Sequence, residues 1–194
     1  GKGFRRIEYR PHSRSSQTDR GQTYRFYPVP EKNAKTYHIA DAHNRIEEPV
    51  EAVRTYEKEY GKIDFLILNG DIPDHSGDIK NFDLIYRLCE KITGGTRPCI
   101  FYRGNHDTRG FYAEHLSEVV PTKNGKFYYT FRLSDIYGIM LDLGEDHDDD
   151  WWEYYETAQF DLYREEQTRM LDDIIASGEY KNAAYTMAVC HIPI

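Results

Sequence analysis

Thiols and long apolar runs are both scarce in this chain. Its three cysteines, Cys89, Cys99 and Cys190, lie far apart inside apolar patterns. That spacing makes neither a zinc knuckle nor a disulfide framework, so they read as buried free thiols. No stretch approaches the roughly 18 apolar residues of a membrane span. The first residues, Gly1-Lys-Gly-Phe-Arg-Arg6, contain no apolar leader segment, and the compartment is left open. There is no Gly-x-x-x-x-Gly-Lys phosphate loop, no low-complexity tract, and no internal repeat beyond a strand–helix rhythm. What is abundant is aromatic surface: 17 Tyr and 9 Phe, within an apolar content of 39%, argue for a packed core rather than disorder. A chain of 194 residues is long enough to build one.

Charge is unevenly placed. Residues 1–35 carry nine Lys/Arg against three Asp/Glu, so with a net charge of −8 the remainder stands at −14. A body so acidic repels a phosphate backbone, and a nucleic-acid polymer is not the expected partner.

Residues 1–35 read as short extended pieces, Arg6–Tyr9 and Thr23–Tyr27, broken by prolines and by a polar loop from His12 to Gly21. Two strands are not a stable unit alone, so this segment reads as N-terminal strands or as the end of a preceding β-rich part. From Thr36 the pattern becomes strand, polar turn, helix. Strands are expected at Tyr37–Ala40, Phe65–Leu68 and Cys99–Tyr102, followed by helices over Ile46–Tyr60, Asp78–Ile92 and Phe111–Val119. A hairpin then joins Lys126–Leu133 to Tyr137–Leu143 around Ser134-Asp135. A long helix over Thr157–Ala176 and a strand over Ala184–Cys190 complete the order, which specifies an α/β fold.

The chemistry sits at the strand ends. Tyr37–Ala40 runs into Asp41-Ala-His43; Phe65–Leu68 into Asn69-Gly-Asp71-Ile-Pro-Asp74; Cys99–Tyr102 into Arg103-Gly-Asn-His-Asp107; the last strand into His191. Asp41 and Asp71 are 30 residues apart, and Asp71 and Asn105 are 34, each about one βα unit. Right-handed crossovers return each strand parallel to the last, so Asp41, His43, Asp71, Asn105 and His191 should converge at one sheet edge. Carboxylates, an amide and imidazoles crowded together need a cation. Nitrogen and oxygen donors without thiolate suit Mn, Fe, Zn, Ni or Mg.

Asp41-x-His43, Gly70-Asp71-x-x-Asp74, Gly104-Asn105-His106-Asp107 and His191-x-Pro193 resemble, in order and spacing, four signature blocks of the calcineurin-like metallophosphoesterases. The resemblance covers Thr36 to Ile194 and implies a four-layer α-β-β-α sandwich. It implies two divalent ions, one held by Asp41 and His43, the other by Asn105 and His191, with Asp71 bridging. The implied reaction is hydrolysis of a small phosphomonoester or phosphodiester by a hydroxide bridging the ions. His106 would be the general acid and Asp74 the group orienting its imidazole. Arg109, or else Arg103, reads either as a grip on the phosphate or as a solvated arginine, and His75, next to Asp74 at the crevice rim, is a candidate substrate contact by its position.

Two departures accompany the resemblance. The family's last block, Gly-His-x-His, is not found after His191, so the domain over 36–194 is expected to be incomplete at its C-terminus and weakly active or inactive as it stands. The hairpin near Tyr128, Leu141-Asp-Leu-Gly144 and Glu166-Gln167 resemble the purple-acid-phosphatase-like branch. That branch places a tyrosine ligand three residues after the bridging aspartate, where this chain has Asp74, so an iron bound by tyrosinate is not expected.

Other features have plainer readings. His38 reads as a packed core histidine, and the acidic run Glu145–Asp150 as a solvated loop. The aromatic cluster Trp151–Tyr155 reads either as a contact for an organic leaving group or as a packing surface. A catalytically inactive, partner-binding member of the same fold is the competing function, against which the His106–Asp74 pair argues. A different phosphotransfer enzyme would need a phosphate loop or a nucleophilic aspartate with a second aspartate beside it, and neither follows the first strand.

Overall fold

The computed structural model describes residues 5–9 and 22–193; the polar loop expected between His12 and Gly21 lies outside them. Strands β1 (Arg5–Tyr9) and β2 (Gln22–Phe26) pair antiparallel. Three βα units follow. Strands β3 (Thr36–Ile39), β4 (Phe65–Asn69) and β5 (Cys99–Tyr102) form a parallel sheet in that order, with His38 opposite Ile67 and Ile67 opposite Ile100. Helix α1 (Glu47–Tyr60) stops at Gly61, whose φ of 81° no side chain favours. Helix α2 (Asp83–Thr93) ends on the left-handed Gly94.

The stretch expected as one helix from Asp78 is divided. Asp78 caps a 3₁₀ turn, Ile79–Phe82, by accepting from the Lys80 N–H, and α2 begins after it. The expected helix over Phe111–Val119 is shorter as well: a 3₁₀ turn, Ala113–His115, leads into α3 (Leu116–Val119).

The second sheet contains β6 (Tyr129–Leu133), β7 (Ile136–Met140) and β8 (Tyr185–Val189). β6 and β7 are the expected hairpin, turning at Ser134 with φ 59°, while β8 returns parallel to β7 after helix α4 (Phe160–Ser177).

Alternation along β4 sorts the layers. Leu66 and Leu68 join Val53, Phe82, Ile85 and Leu88 in a core between sheet and helices. Phe65 and Ile67 point the other way, into a core shared with Ile100, Tyr102, Met140 and Val189 between the two sheets. A third core, Tyr137, Ile139, Leu141 and Ile174, lies between the second sheet and α4. The result is the four-layer α-β-β-α arrangement. Residues 65–68 are fully buried, each contributing about 1.5–3 kcal/mol of apolar burial, so β4 is the strand both cores are built on.

His38 departs from expectation. It shares the inter-sheet face of Ile67 in register, but β3 is an edge strand that contributes no residue to the inter-sheet core, and His38 is exposed.

Candidate metal centre

The site forms where the ends of β3, β4, β5 and β8 meet. The turn after β3 zips onto the turn after β4: Asp41 N–H donates to Gly70 O (3.2 Å), His43 N–H to Asp71 O (2.9 Å) and Asn44 N–H to Ile72 O (2.9 Å). Holding these bonds forces Asp41, His43, Asn44 and Asp71 to φ values of 55°, 41°, 68° and 53°. Left-handed backbone at a non-glycine residue costs on the order of 1–3 kcal/mol and persists where the surroundings over-determine it. Gly70 and Gly104 pack back to back. A Cβ on Gly70 would lie 2.5 Å from Gly104 Cα, and one on Gly104 would lie 2.2 Å from Asp71 Oδ1. Glycine at both positions lets the ends of β4 and β5 close on each other.

Asp107 fastens this junction from beneath. It is fully buried, and its Oδ2 accepts from the N–H groups of Gly104 (2.8 Å) and Asp71 (2.9 Å). Burial raises its carboxyl to about 7, opposed by those two donors and aided by the charge of Asp71. Asn69 makes the corresponding tie to the second sheet. Its Nδ2 donates to Cys190 O (3.1 Å) and its carbonyl accepts from His191 Nδ1 (2.7 Å).

Three imidazoles share one construction. Each has Nδ1 held by an acceptor: His191 by Asn69 O, His43 by Asp74 Oδ1 (2.8 Å) and His106 by Asp74 O (2.6 Å). Since those partners only accept, Nδ1 carries a proton in each ring and Nε2 is the nitrogen turned to the site, the orientation usual in metal-ligating histidines. Asp71, 2% exposed, is the common target. Its Oδ2 is 3.3 Å from His191 Nε2 and 3.8 Å from His43 Nε2, while its Oδ1 accepts the His106 N–H (3.0 Å). Asp41 Oδ1 is 3.7 Å from His43 Nε2 and 3.9 Å from His191 Nε2.

Two sets of donors therefore gather within 4.8 Å: His43, Asp71 and His106, and Asp41, Asp71 and His191, with Asp71 in both. Burial alone would lower the His191 pKa, but the Asp71 and Asp41 carboxylates and the Asn69 carbonyl raise it to about 9. A field that holds a proton so firmly favours any other cation. The donor set, nitrogen and oxygen with no sulfur, fits a divalent ion.

The remaining expected residues are placed as follows. Asn105 stands at the same strand end, and its side chain helps to lower the Glu145 pKa. Asp74 serves the imidazoles differently from the sequence expectation: its carboxylate engages His43, its main-chain carbonyl holds His106, and its Oδ1 is 4.0 Å from His106 Nδ1. Arg109 is committed through Nε and Nη2 to Glu145 (2.7 and 2.9 Å), leaving Nη1 3.4 Å from His106 Nε2. Arg103 pairs with the buried Asp142 (2.6 Å) and lies over the Phe127 ring, so its guanidinium belongs to the core. His75 is exposed, and its Nδ1 accepts from the Gly77 N–H (2.9 Å).

The residues missed by sequence reasoning are supports. Glu145 was read with its neighbours as a solvated loop, yet it is 2% exposed. Burial pushes its pKa up, but Arg109, Asp146 and Asn105 together hold it to about 2. In the same run, Asp149 accepts from the N–H groups of Phe160 (2.8 Å) and Asp161 (3.2 Å) and so caps α4. Asn69, a lone polar residue closing an apolar strand, and Asp107, a charge beside the site's histidine, were visible as types but not as hydrogen-bond anchors.

No curated protein matches the chain. A solved structure, the purple acid phosphatase PPD1 isolated from yellow lupin (Lupinus luteus) seeds, shares the fold with a TM-score of 0.57 at 13% identity. The match covers 88% of this chain and 33% of that one, so this chain spans about a third of that relative's length. Residues 34–194 match the family described as calcineurin-like phosphoesterase, and this chain belongs to that family of metal-dependent phosphoesterases.

Proposed function

We propose that residues 36–194 carry the core of a dinuclear metal-dependent phosphoesterase acting on a small phosphomonoester or phosphodiester, and that residues 1–35 end a preceding β-rich segment. The observation that carries this reading is the convergence of two anchored imidazoles, His43 and His191, on one buried carboxylate oxygen of Asp71. Asp41 and His43 on one side, and Asn105 and His191 on the other, would hold two divalent ions with Asp71 between them. The distances alone group His106 with His43 and Asp71; His106 is assigned to proton donation on the family resemblance of the Gly104-Asn105-His106-Asp107 block. When bound, such ions supply Lewis-acid polarisation of the phosphoryl group and activation of water.

The chain's own residues do the rest. Asp74 fixes two rings at once, His43 through its carboxylate and His106 through its carbonyl. His106 Nε2 is the atom that delivers a proton to the departing alcohol oxygen, from a ring protonated on both nitrogens, a step contributing typically about 10²–10⁴ in rate. Glu145 holds Arg109 so that Nη1 lies beside that nitrogen. There it stabilises negative charge on a phosphoryl or leaving oxygen. His75, at the rim, is a candidate substrate contact.

The test is hydrolysis of p-nitrophenyl phosphate and bis-p-nitrophenyl phosphate by the full-length gene product with manganese, run beside Asp71→Asn. Turnover of either ester, abolished by chelation and lowered at least about 100-fold in the variant, is expected. Near-wild-type turnover in Asp71→Asn would refute the shared-carboxylate assignment. Bound metal with no hydrolysis of either ester would favour the inactive, partner-binding reading.

A further inference from the structure

Beside His106 lies a cleft of about 610 Å³ that the metal site does not use. Its size is that of small-molecule sites, which run from about 300 to 1,000 Å³. Arg109 joins the two. Its Nη1 is 3.4 Å from His106 Nε2, and the same side chain lines the cleft with Phe111, Trp152, Tyr154 and Tyr155.

Three of these rings face water. Phe111 is 81% exposed, Trp152 67% and Tyr155 82%. Side chains so exposed contribute little burial to folding, and grouped at one cleft they form an apolar surface of the kind that marks a binding site. The loop that presents Trp152 and Tyr155 is held in an unfavourable backbone state: Tyr155 and Glu156 are consecutive non-glycine residues at φ 48° and 59°. It is fastened underneath by Tyr154, whose ring packs edge-on against Phe160 at 5.7 Å and whose carbonyl accepts the Thr157 N–H at 2.8 Å. Tyr154 is only 8% exposed, lines the cleft, and its hydroxyl has no partner among the described residues. The cleft thus combines stacking surfaces with a guanidinium that Glu145 and Glu153 flank, and adjoins the nitrogen assigned to the leaving oxygen.

We propose that this cleft is the leaving-group subsite, and that it takes a planar aromatic ring carried by the alcohol half of the phosphate ester. The inference rests on the phosphoesterase reading above. Water supplies the oxygen of the new O–P bond, and the P–O bond to the alcohol breaks. The alcohol takes a proton from His106 and departs with its ring between Trp152 and Tyr155. A nucleobase and a simple aryl group share this chemistry, and substrates can separate them.

The experiment compares adenosine 5′-monophosphate, phenyl phosphate and ring-less glycerol phosphate on the full-length protein, wild type, Trp152→Ala and Tyr155→Ala. Saturation-transfer NMR of adenosine and of phenol against the same proteins runs alongside. Ring stacking on an aromatic side chain predicts that each variant raises the KM ratio of ring-bearing to ring-less ester by about 5- to 150-fold. A rise for the nucleotide alone assigns a nucleobase site, and a rise for both assigns a general aryl site; either supports the proposal. Hydrolysis with an unchanged ratio overturns the subsite and leaves the phosphoesterase reading standing. If no ester is hydrolysed, adenosine or phenol signals that disappear in Trp152→Ala support a ring-binding cleft while the phosphoesterase reading falls. No ring signal on the wild type, as when other chain covers the cleft, overturns the proposal.

Discussion

Asp107 touches no candidate ligand side chain, and replacing it tests whether the site is held by its backbone. Its Oδ2 accepts two buried N–H groups, those of Gly104 and Asp71. Asp107→Ala leaves both unpartnered. Each costs about 1–3 kcal/mol, so together about 2–6 kcal/mol, against a typical total of about 5–15 kcal/mol for a domain. Asp107→Asn is the milder change, because its amide oxygen can still accept both donors. The new NH₂ then occupies the place of Oδ1, which has no hydrogen-bond partner, so one buried donor is unsatisfied, about 1–3 kcal/mol. With the native carboxyl at about 7, the asparagine also removes less than a full charge near neutrality. Urea unfolding followed by tryptophan fluorescence reads the difference. For a slope of about 2 kcal/mol per molar, the alanine midpoint should fall by about 1–3 M and the asparagine midpoint by about half as much. Metal affinity should fall by about 10- to 100-fold in the alanine variant, as for other groups that orient a ligand. An alanine variant within about 0.3 M of wild type, with unchanged metal affinity, would refute the claim that this carboxylate holds the two turns together.

Two further predictions concern proton transfer and acid stability. His106→Ala should lower kcat/KM by about 10²–10⁴ on an alkyl phosphate and far less on a nitrophenyl ester, whose leaving group needs no proton; equal losses would assign His106 to the ligand set instead. Burial works to raise the Glu57 carboxyl, but its bonds to Lys62, Arg54 and the Ile63 N–H outweigh this and hold it below the usual carboxylate range. Its contribution to stability is therefore complete above the unfolded carboxylate pKa and is lost as pH falls through the lower, folded value. Glu57→Gln should flatten the acid limb of the stability curve below about pH 4.5, and an unchanged limb would show that the pairing adds nothing.

Much of this was legible in the sequence, for one reason. Buried strands flanked by helices on one side and a sheet on the other read as unbroken apolar runs, so Phe65–Leu68 and Cys99–Tyr102 announced themselves and placed Asp71 and Asn105 at their ends. What could not be read were the partners brought from afar. Arg109 looked free to grip phosphate because Glu145, 36 residues on, closes over it only in space. Arg103 has the same appearance in the sequence, but Asp142 and Phe127 enclose it. Asp74 was assigned by its carboxylate alone, since residue spacing does not say whether a side chain or a carbonyl will face a given ring. His38 has the composition of a core strand residue, but its exposure follows from β3 lying at the sheet edge beyond the inter-sheet core.

The deeper limit is that the site is specified by backbone. Asp41, His43 and Asp71 project from left-handed residues, a state uncommon outside glycine though better tolerated by Asp and His than by most. The cost is offset by three main-chain bonds between the β3 and β4 turns and by the two that Asp107 accepts. Gly70 is required both for its φ of 80° and because Gly104 fills the space its Cβ would need, and Gly104 because Asp71 fills the space its own Cβ would need. The carboxylate is thus positioned by the closure of two strand ends, and the imidazoles by Nδ1 bonds to Asp74 and Asn69. None of these supports uses the Nε2 atoms that the site presents. Ligand positions are fixed by bonds that do not involve an ion, so binding need not first order the turns, and the free energy of association is not spent on folding them.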